Sequence, residues 1–365
     1  MPKAKELIFD GELLREIAPI PGISGDEGPI RERVMKEFKK CENVDNVKVD
    51  GMGNVMAYIN VGKDKDTILI SAHMDTPGMR VTKIHDGTID GSQEGSLIFQ
   101  DIGLARDQLG STRVRIHTAK GDVPGIICTH GVHIREEDEE EYNLYKMVID
   151  PGTDSYNEVR RMGVDIGDGV SYDSAIEPIG ASRLSGAFLD NRIGVTNIIT
   201  LAQKLNKKKL NVNVVLACTV HEESDLSGIK CLVNNVNPAA VIVMDTTTAM
   251  QHDVDTDMSL AKLNGGTTLE MGTYVNKKLL ALSIATAKKY GIKHQREVFV
   301  DIYETGCTES YAARWYGSGV PAITLSYPVR YLHSSVETVD MRDVSDTLTL
   351  VKYMLYNIKS GEKYI

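Results

Sequence analysis

Four apolar runs in this chain end in residues that can bind a metal ion or move a proton. Thr67-Ile68-Leu69-Ile70-Ser71-Ala72 delivers His73-Met74-Asp75, and Val212 to Val220 delivers His221-Glu222-Glu223. Ala239 to Met244 delivers Asp245, and Pro321 to Ser326 is followed by His333. Asp190 joins them in Phe188-Leu189-Asp190-Asn191-Arg192, where a helical pattern begins; alone it would read as a helix cap. Histidines and carboxylates without thiolates suit borderline-to-hard divalent ions such as Zn²⁺, Co²⁺ or Mn²⁺. The set is larger than one ion needs. A bridging carboxylate with one histidine and one further carboxylate on each side would hold two ions roughly 3.5 to 4 Å apart, as in two-metal hydrolytic sites. The adjacent Glu222 and Glu223 would then divide the work, one binding metal while the other, unligated, takes a proton from an activated water. Asp75, two residues after His73, is placed to hydrogen-bond the other ring nitrogen of that ligand.

Residues this far apart in sequence meet only if the strands that carry them end side by side. In open α/β sheets, sites form outside the carboxyl ends of the strands. Continuous apolar runs of strand length predict strands buried on both faces, and helical patterns lie between them, at Ile193 to Leu205, Leu279 to Tyr290 and Val344 to Ile358. The fold class expected is α/β, with a mainly parallel sheet flanked by helices. Upstream, Ser24-Gly25-Asp26-Glu27 reads as a capping box for a helix from about Gly25 to Lys40. Val47 to Val49 and Val55 to Ile59 read as a hairpin. From Pro77 to about Ser182 the texture changes to frequent glycines and short alternating segments such as Thr112 to His117. This predicts a small β-rich domain at 77–182, inserted into a catalytic α/β domain made of 1–76 and 183–365.

Composition excludes several classes. A net charge of -10 and the lack of a basic stripe argue against nucleic acid. No apolar stretch approaches the ~20 residues that cross a bilayer, and the N-terminus lacks a signal-peptide h-region, so a cytoplasmic protein with no membrane partner is expected. The five cysteines, Cys41, Cys128, Cys218, Cys231 and Cys307, are scattered and read as reduced thiols. His130 and His133 lack carboxylate company, and His85, His117, His252 and His294 receive no role. The acid run Glu136 to Glu141 reads as a solvated face. Gly265-Gly266 is a turn, and Ser310 and Cys307 do not lie in a nucleophile elbow.

Taken together, Ser71 to Asp75, Ala187 to Gly194, Thr219 to Glu223, Val243 to Asp245 and Arg330 to Ser334 resemble the tetrahedral or deblocking aminopeptidases. That family includes glutamyl aminopeptidases and proteins once labelled cellulase M or endoglucanase. The resemblance covers nearly the whole chain and implies a zinc-peptidase-like catalytic domain. It implies that His73, Asp190 and Asp245 hold one ion, and that Asp190, Glu223 and His333 hold the other. Glu222 falls on the position of the general base, and Asp75 on the position that orients His73. The long insertion between Asp75 and Asp190 favours these aminopeptidases over the related deacylases, which place their extra domain later. Ser224-Asp225-Leu226-Ser227-Gly228 departs from the family's usual valine-glycine and arginine-glycine continuation, and Thr129-His130-Gly131-Val132-His133 from its proline-rich histidine segment.

The expected activity is therefore hydrolysis of N-terminal residues from short peptides by a water activated between two divalent ions, zinc or cobalt before manganese. Arg330 is a candidate to face an acidic substrate side chain. The resemblance further implies a homo-oligomer, built from dimers through the inserted domain and extending to a tetrahedral dodecamer. Two alternatives compete: a metal-dependent deacylase or glycoside hydrolase, and an inactive metal- or peptide-binding assembly protein. The glycosidase would need paired carboxylates flanking a sugar rather than histidine ligands. An inactive protein would have no use for an unligated base beside the metals.

Overall fold

The computed structural model describes residues 8–62, 64–87, 94–129, 133, 147–252, 260–299 and 308–364. Of the sequence readings, His130, Cys307 and the acid run Glu136 to Glu141 lie outside the described residues. Four strands form the centre of the large sheet: Asn213–Thr219, Thr67–His73, Ala240–Thr248 and Ala322–Arg330, all mutually parallel. Their β-branched runs are buried on both faces. Ile68, Ile70, Leu216 and Ile242 pack beneath the helices Leu189–Lys204 and Met341–Asn357. Leu69, Val215, Val241 and Val243 pack on the other side with residues of the helix Ser227–Val236. Each such side chain contributes about 1.5–3 kcal/mol by leaving water.

Toward its two ends the sheet pairs antiparallel, through Val55–Ile59 and Asn46–Val49 at one side and Glu337–Asp340, Arg183–Gly186 and Glu177–Ile179 at the other, while Thr267–Gly272 branches off antiparallel to Ala322–Arg330 and pairs in parallel with His294–Phe299. The fold is mixed α/β, and the expected parallel pairing holds for its centre. Two of the strands run further than their apolar stretches suggest. Thr246, Thr247 and Thr248 continue one strand past Asp245, and Tyr327 to Arg330 continue another past Ser326. Asp245 therefore lies within a strand, and Arg330 ends one.

Within the β-rich stretch, six antiparallel strands close into a barrel: Gly78–Ile84, Leu97–Ile102, Val148–Asp150, Gly121–Ile127, Arg113–Thr118 and Gly169–Tyr172. Closure removes the free edges a small sheet would otherwise expose. In Arg113–Thr118, Val114 and Ile116 point into a core shared with Met79, Leu97, Ile149 and Val170, while Arg113 and Arg115 face out. His117 sits on the outer face, Nδ1 2.8 Å from Asp122 and Nε2 2.8 Å from Ser171. Ser171 lies mid-strand, paired with Arg115, so the trio is a cross-strand clamp and not a nucleophile on a strained elbow.

One local expectation is corrected. The capping box does not form: the helix runs Gly28–Lys39 and no side chain caps its start. Ser24 Oγ instead donates to Asp75 at 2.6 Å, and Glu27 accepts the N–H of Gly25 at 2.8 Å. Asp190, expected among the metal ligands, does not sit at the helix cap. Phe188 occupies that position, and Asp190 and Asn191, joined by a cis peptide bond, depart from helical dihedrals before the regular helix begins. Among the described residues, no helix is long and apolar enough to cross a membrane.

Candidate metal centre

Parallel register brings the strand ends together. Thr219 lies opposite His73, so Glu222 and Glu223, in the turn that follows, stand beside it. His73, Asp190 and Asp245 offer ligand atoms within 4.8 Å of one another, as do Asp190, Glu223 and His333, and also His73, Glu222 and Glu223. His73 Nε2 lies 3.1 Å from Asp190 Oδ1 and 3.4 Å from Asp245 Oδ1, with Glu222 Oε2 at 4.0 Å. His333 Nε2 lies 3.3 Å from Asp190 Oδ2 and 3.8 Å from Glu223 Oε2. The two oxygens of one carboxylate thus face two different imidazoles.

Both rings are oriented by acceptors on their far nitrogens. His73 Nδ1 meets the backbone carbonyl of Asp75 at 3.1 Å, nearer than the Asp75 carboxylate at 3.6 Å. That carboxylate is occupied elsewhere: it accepts the backbone N–H of Glu222 at 3.0 Å and of Glu223 at 3.1 Å, besides Ser24. His333 Nδ1 meets the carbonyl of Gly103, on a loop of the barrel. A Cβ at residue 103, where φ is +72°, would sit 3.2 Å from Glu223 Oε2, so the close approach requires glycine. In each case the Nε2 atom is left facing the carboxylates.

The electrostatics are lopsided. Asp75, Asp190, Asp245 and Glu337 are buried, and Glu222 and Glu223 nearly so. Burial works to lower the His73 pKa, but Glu222, Asp245 and Asp190 together raise it well above its ordinary value. For His333, burial is likewise overcome by Glu223 and Asp190, which hold it up to about 10. Burial pushes Glu223 up to about 8, with the charge of Asp190 adding, and Glu222 is raised well above the usual range chiefly by burial. Asp190 goes the other way: burial is outweighed by its hydrogen bonds to His333 and His73, which lower it. The two histidines and two glutamates thus share a raised proton affinity, the mark of closely packed negative charge. Glu223 Oε1 is buried with no hydrogen-bond partner. An acid-rich, histidine-containing donor set with an orphaned carboxylate oxygen fits divalent cations.

All the metal and base candidates therefore meet. Arg330 does not join them: its Nε donates to the Met250 carbonyl at 2.8 Å, and Nη1 lies 3.1 Å from His252. Ser310 is buried and takes a hydrogen bond from Thr324.

Several residues around the centre escaped the sequence reading. Asn191 Nδ2 donates to Asp245 Oδ1 and to the Met244 carbonyl, both at 2.9 Å. Glu337 accepts the N–H of Asp190 at 3.1 Å and of His333 at 2.7 Å, and burial pushes its pKa up to about 8. Glu309 is buried and accepts from Ser71, two residues before His73, at 2.7 Å. Glu270 accepts from Ser326 at 2.8 Å while its Oε2 has no partner; burial, with the charges of Asp245 and Glu297, pushes it up to about 8. Arg192 is fully buried. Nearness to a motif residue was the available signal for Asn191 and Glu337; residue type gave none for the others.

A family model for M42 glutamyl aminopeptidase matches residues 53–350. The lysyl aminopeptidase of Pyrococcus furiosus is 30% identical over 357 residues, covering 96% of this chain and 98% of that one. An aminopeptidase from Desulfurococcus kamchatkensis superposes with a TM-score of 0.86 at 28% identity, covering 95% of this chain and 94% of that chain. The TET1 peptidase of Pyrococcus horikoshii, which can assemble into a tetrahedron or a large octahedral shell, gives 0.81 at 29% identity, covering 95% and 99%.

Proposed function

The chain belongs to the M42 glutamyl aminopeptidase family and is a metal-dependent aminopeptidase, and from that premise we propose that it works with two divalent ions shared by Asp190. The single observation behind the two-ion reading is that Asp190 Oδ1 and Oδ2 face His73 and His333, at 3.1 Å and 3.3 Å. His73 and Asp245 complete one ligand set, and Glu223 and His333 the other. Zinc or cobalt suits these donors best, and manganese is acceptable. Such ions would polarise a scissile carbonyl and make a water easier to deprotonate.

Glu222 is the base in this reading. Its carboxylate stands at the edge of the cluster and belongs to neither of these two ligand sets. Burial and the neighbouring negative charges raise its proton affinity, as suits a base, and cations in the cluster would offset those charges. Glu222 takes a proton from the attacking water and returns it to the leaving amine. Asp75 holds the backbone that presents Glu222 and Glu223. One of the ions and a nearby carboxylate would hold the free α-amine of the substrate, which fits action at the N-terminus.

The substrates proposed are short peptides. Residues 77–182 form the inserted domain in this reading, the catalytic domain being 1–76 and 183–365, and the barrel mediates dimers that build a larger homo-oligomer, a dodecamer in its fullest form. The assembly of the TET1 peptidase into a tetrahedron or octahedral shell supports the larger homo-oligomer. A cytoplasmic setting fits the buried thiols of Cys41 and Cys218. Arg330 remains the proposed contact for an acidic side chain, through the part of its guanidinium not engaged by Met250 and His252.

The test is a peptide panel, free and N-acetylated, given to metal-stripped protein with Co²⁺, Zn²⁺ or Mn²⁺ restored. Cleavage of free-amine peptides alone, and only with metal, is expected. Preference for acetylated substrates would move the reading to a deacylase, and no cleavage would favour a binding protein. Loss of glutamyl over leucyl cleavage in Arg330→Ala would support the acidic pocket, and equal loss would remove it.

A further inference from the structure

Glu337 begins the strand Glu337–Asp340, paired on one side with Arg183–Gly186 and on the other with Ala322–Arg330. Those two neighbours lead, respectively, to Asp190 and to His333. Glu337 is 1% exposed, and its two oxygens divide between them: Oε2 accepts the Asp190 N–H at 3.1 Å and Oε1 the His333 N–H at 2.7 Å. Both recipients sit in backbone that regular structure does not hold. Asp190 is non-helical inside a helix, and His333 has φ of +62°, in a turn where Tyr331 is also left-handed. Left-handed φ at such residues costs energy and persists only when the surroundings enforce it.

We propose that Glu337 is a positioning residue that locks Asp190 and His333 at a common spacing, and so governs the ion on the His333 side of the centre more than the ion on the His73 side. This rests on the two-ion reading. Asp190, Glu223 and His333 include both backbones that Glu337 grips, whereas His73, Asp190 and Asp245 include one. The chemistry demands a carboxylate, because only an acceptor at both ends satisfies two N–H donors; glutamine would turn its amide NH₂ toward one of them. Groups that orient metal ligands typically change metal affinity 10–100-fold when removed.

The experiment is a Co²⁺ titration of the metal-stripped full chain by equilibrium dialysis, with the cobalt visible spectrum as second readout. Wild type, Glu337→Gln and Glu337→Ala are compared, with thermal unfolding of each metal-free protein. The expected result is one ion bound as in wild type and the other weakened roughly 10–100-fold, more in Glu337→Ala than in Glu337→Gln. Should Glu337→Ala fail to fold, the near-isosteric Glu337→Gln carries the comparison. Wild-type affinity for both ions in the folded variants, or equal weakening of both, overturns the proposal. A wild type that binds a single ion removes the two-ion reading instead; Glu337 is then judged on that ion, and unchanged affinity in the variants overturns its role.

Discussion

The Asp75 carboxylate accepts the backbone N–H of Glu222 at 3.0 Å, across 147 residues of sequence. With its second oxygen it takes the N–H of Glu223 at 3.1 Å. One buried acid on one strand therefore fixes the turn that follows the neighbouring strand, and Glu222 and Glu223 are delivered as a unit.

Glu222→Gln keeps the shape of that turn and removes its base. We expect kcat to fall about 10²–10⁴-fold with KM and bound metal nearly unchanged, as checked by steady-state kinetics and metal analysis of the same sample. A fall below tenfold would exclude Glu222 as the base.

Asp75→Ala leaves two backbone N–H groups and the Ser24 hydroxyl without their acceptor. Stability should drop by about 1–3 kcal/mol, measured by urea unfolding, and metal affinity by roughly 10-fold or more. If Asp75 served His73 alone, Glu222→Gln and Asp75→Ala would behave independently in a double-mutant cycle; coupling is the expected result.

Metal removal should lower both activity and stability. Ions that bind the folded chain and not the unfolded one stabilise it by about 2.7 kcal/mol at a hundred times Kd, so Tm should climb with added Co²⁺ or Zn²⁺ and fall with chelator. Since His73 and His333 hold protons above their ordinary range without ions, binding near neutral pH should release protons, seen as buffer-dependent heats in calorimetry.

Glu270 gives a pH dependence that does not require turnover. Its pKa is higher in the folded chain, about 8, than the ordinary 4.5, so the folded state binds more protons between those values. Stability therefore falls as pH rises through that window. Glu270→Gln should be more stable than wild type at about pH 8.5, by on the order of 3 kcal/mol, and hold no such advantage at about pH 5. Thermal unfolding of chelator-treated protein at both pH values checks it, and an equal effect at the two would show that charge is not the cause.

Much of the architecture was written in local pattern. Continuous apolar runs between Thr67 and Ala72 or between Val212 and Val220 call for burial on both sides, as the parallel centre of the sheet provides, and the candidate ligands at their ends come together in space. The alternation at Arg113 to His117 likewise announced a half-exposed strand of a small β unit. Local pattern misled where a side chain had two uses. Ser24 and Glu27 spell a helix cap, yet Ser24 is drawn to Asp75 and the helix starts uncapped. Asp190 alone would spell a cap too, but the company of the other strand-end donors marked it as a ligand candidate, and its carboxylate lies between two imidazoles.

The sequence by itself thus determined which atoms are available to the centre, because residue type and strand-end position are properties of a few neighbouring residues. Only the tertiary structure decided how those atoms are held: Asp75 on the amides of Glu222 and Glu223, Asn191 on Asp245, Gly103 on His333, and Glu337 on Asp190 and His333. The reason is physical. Hydrogen bonds between residues tens to hundreds of positions apart depend on strand register and loop path, which the packing of the whole sheet sets and no short window of residues records.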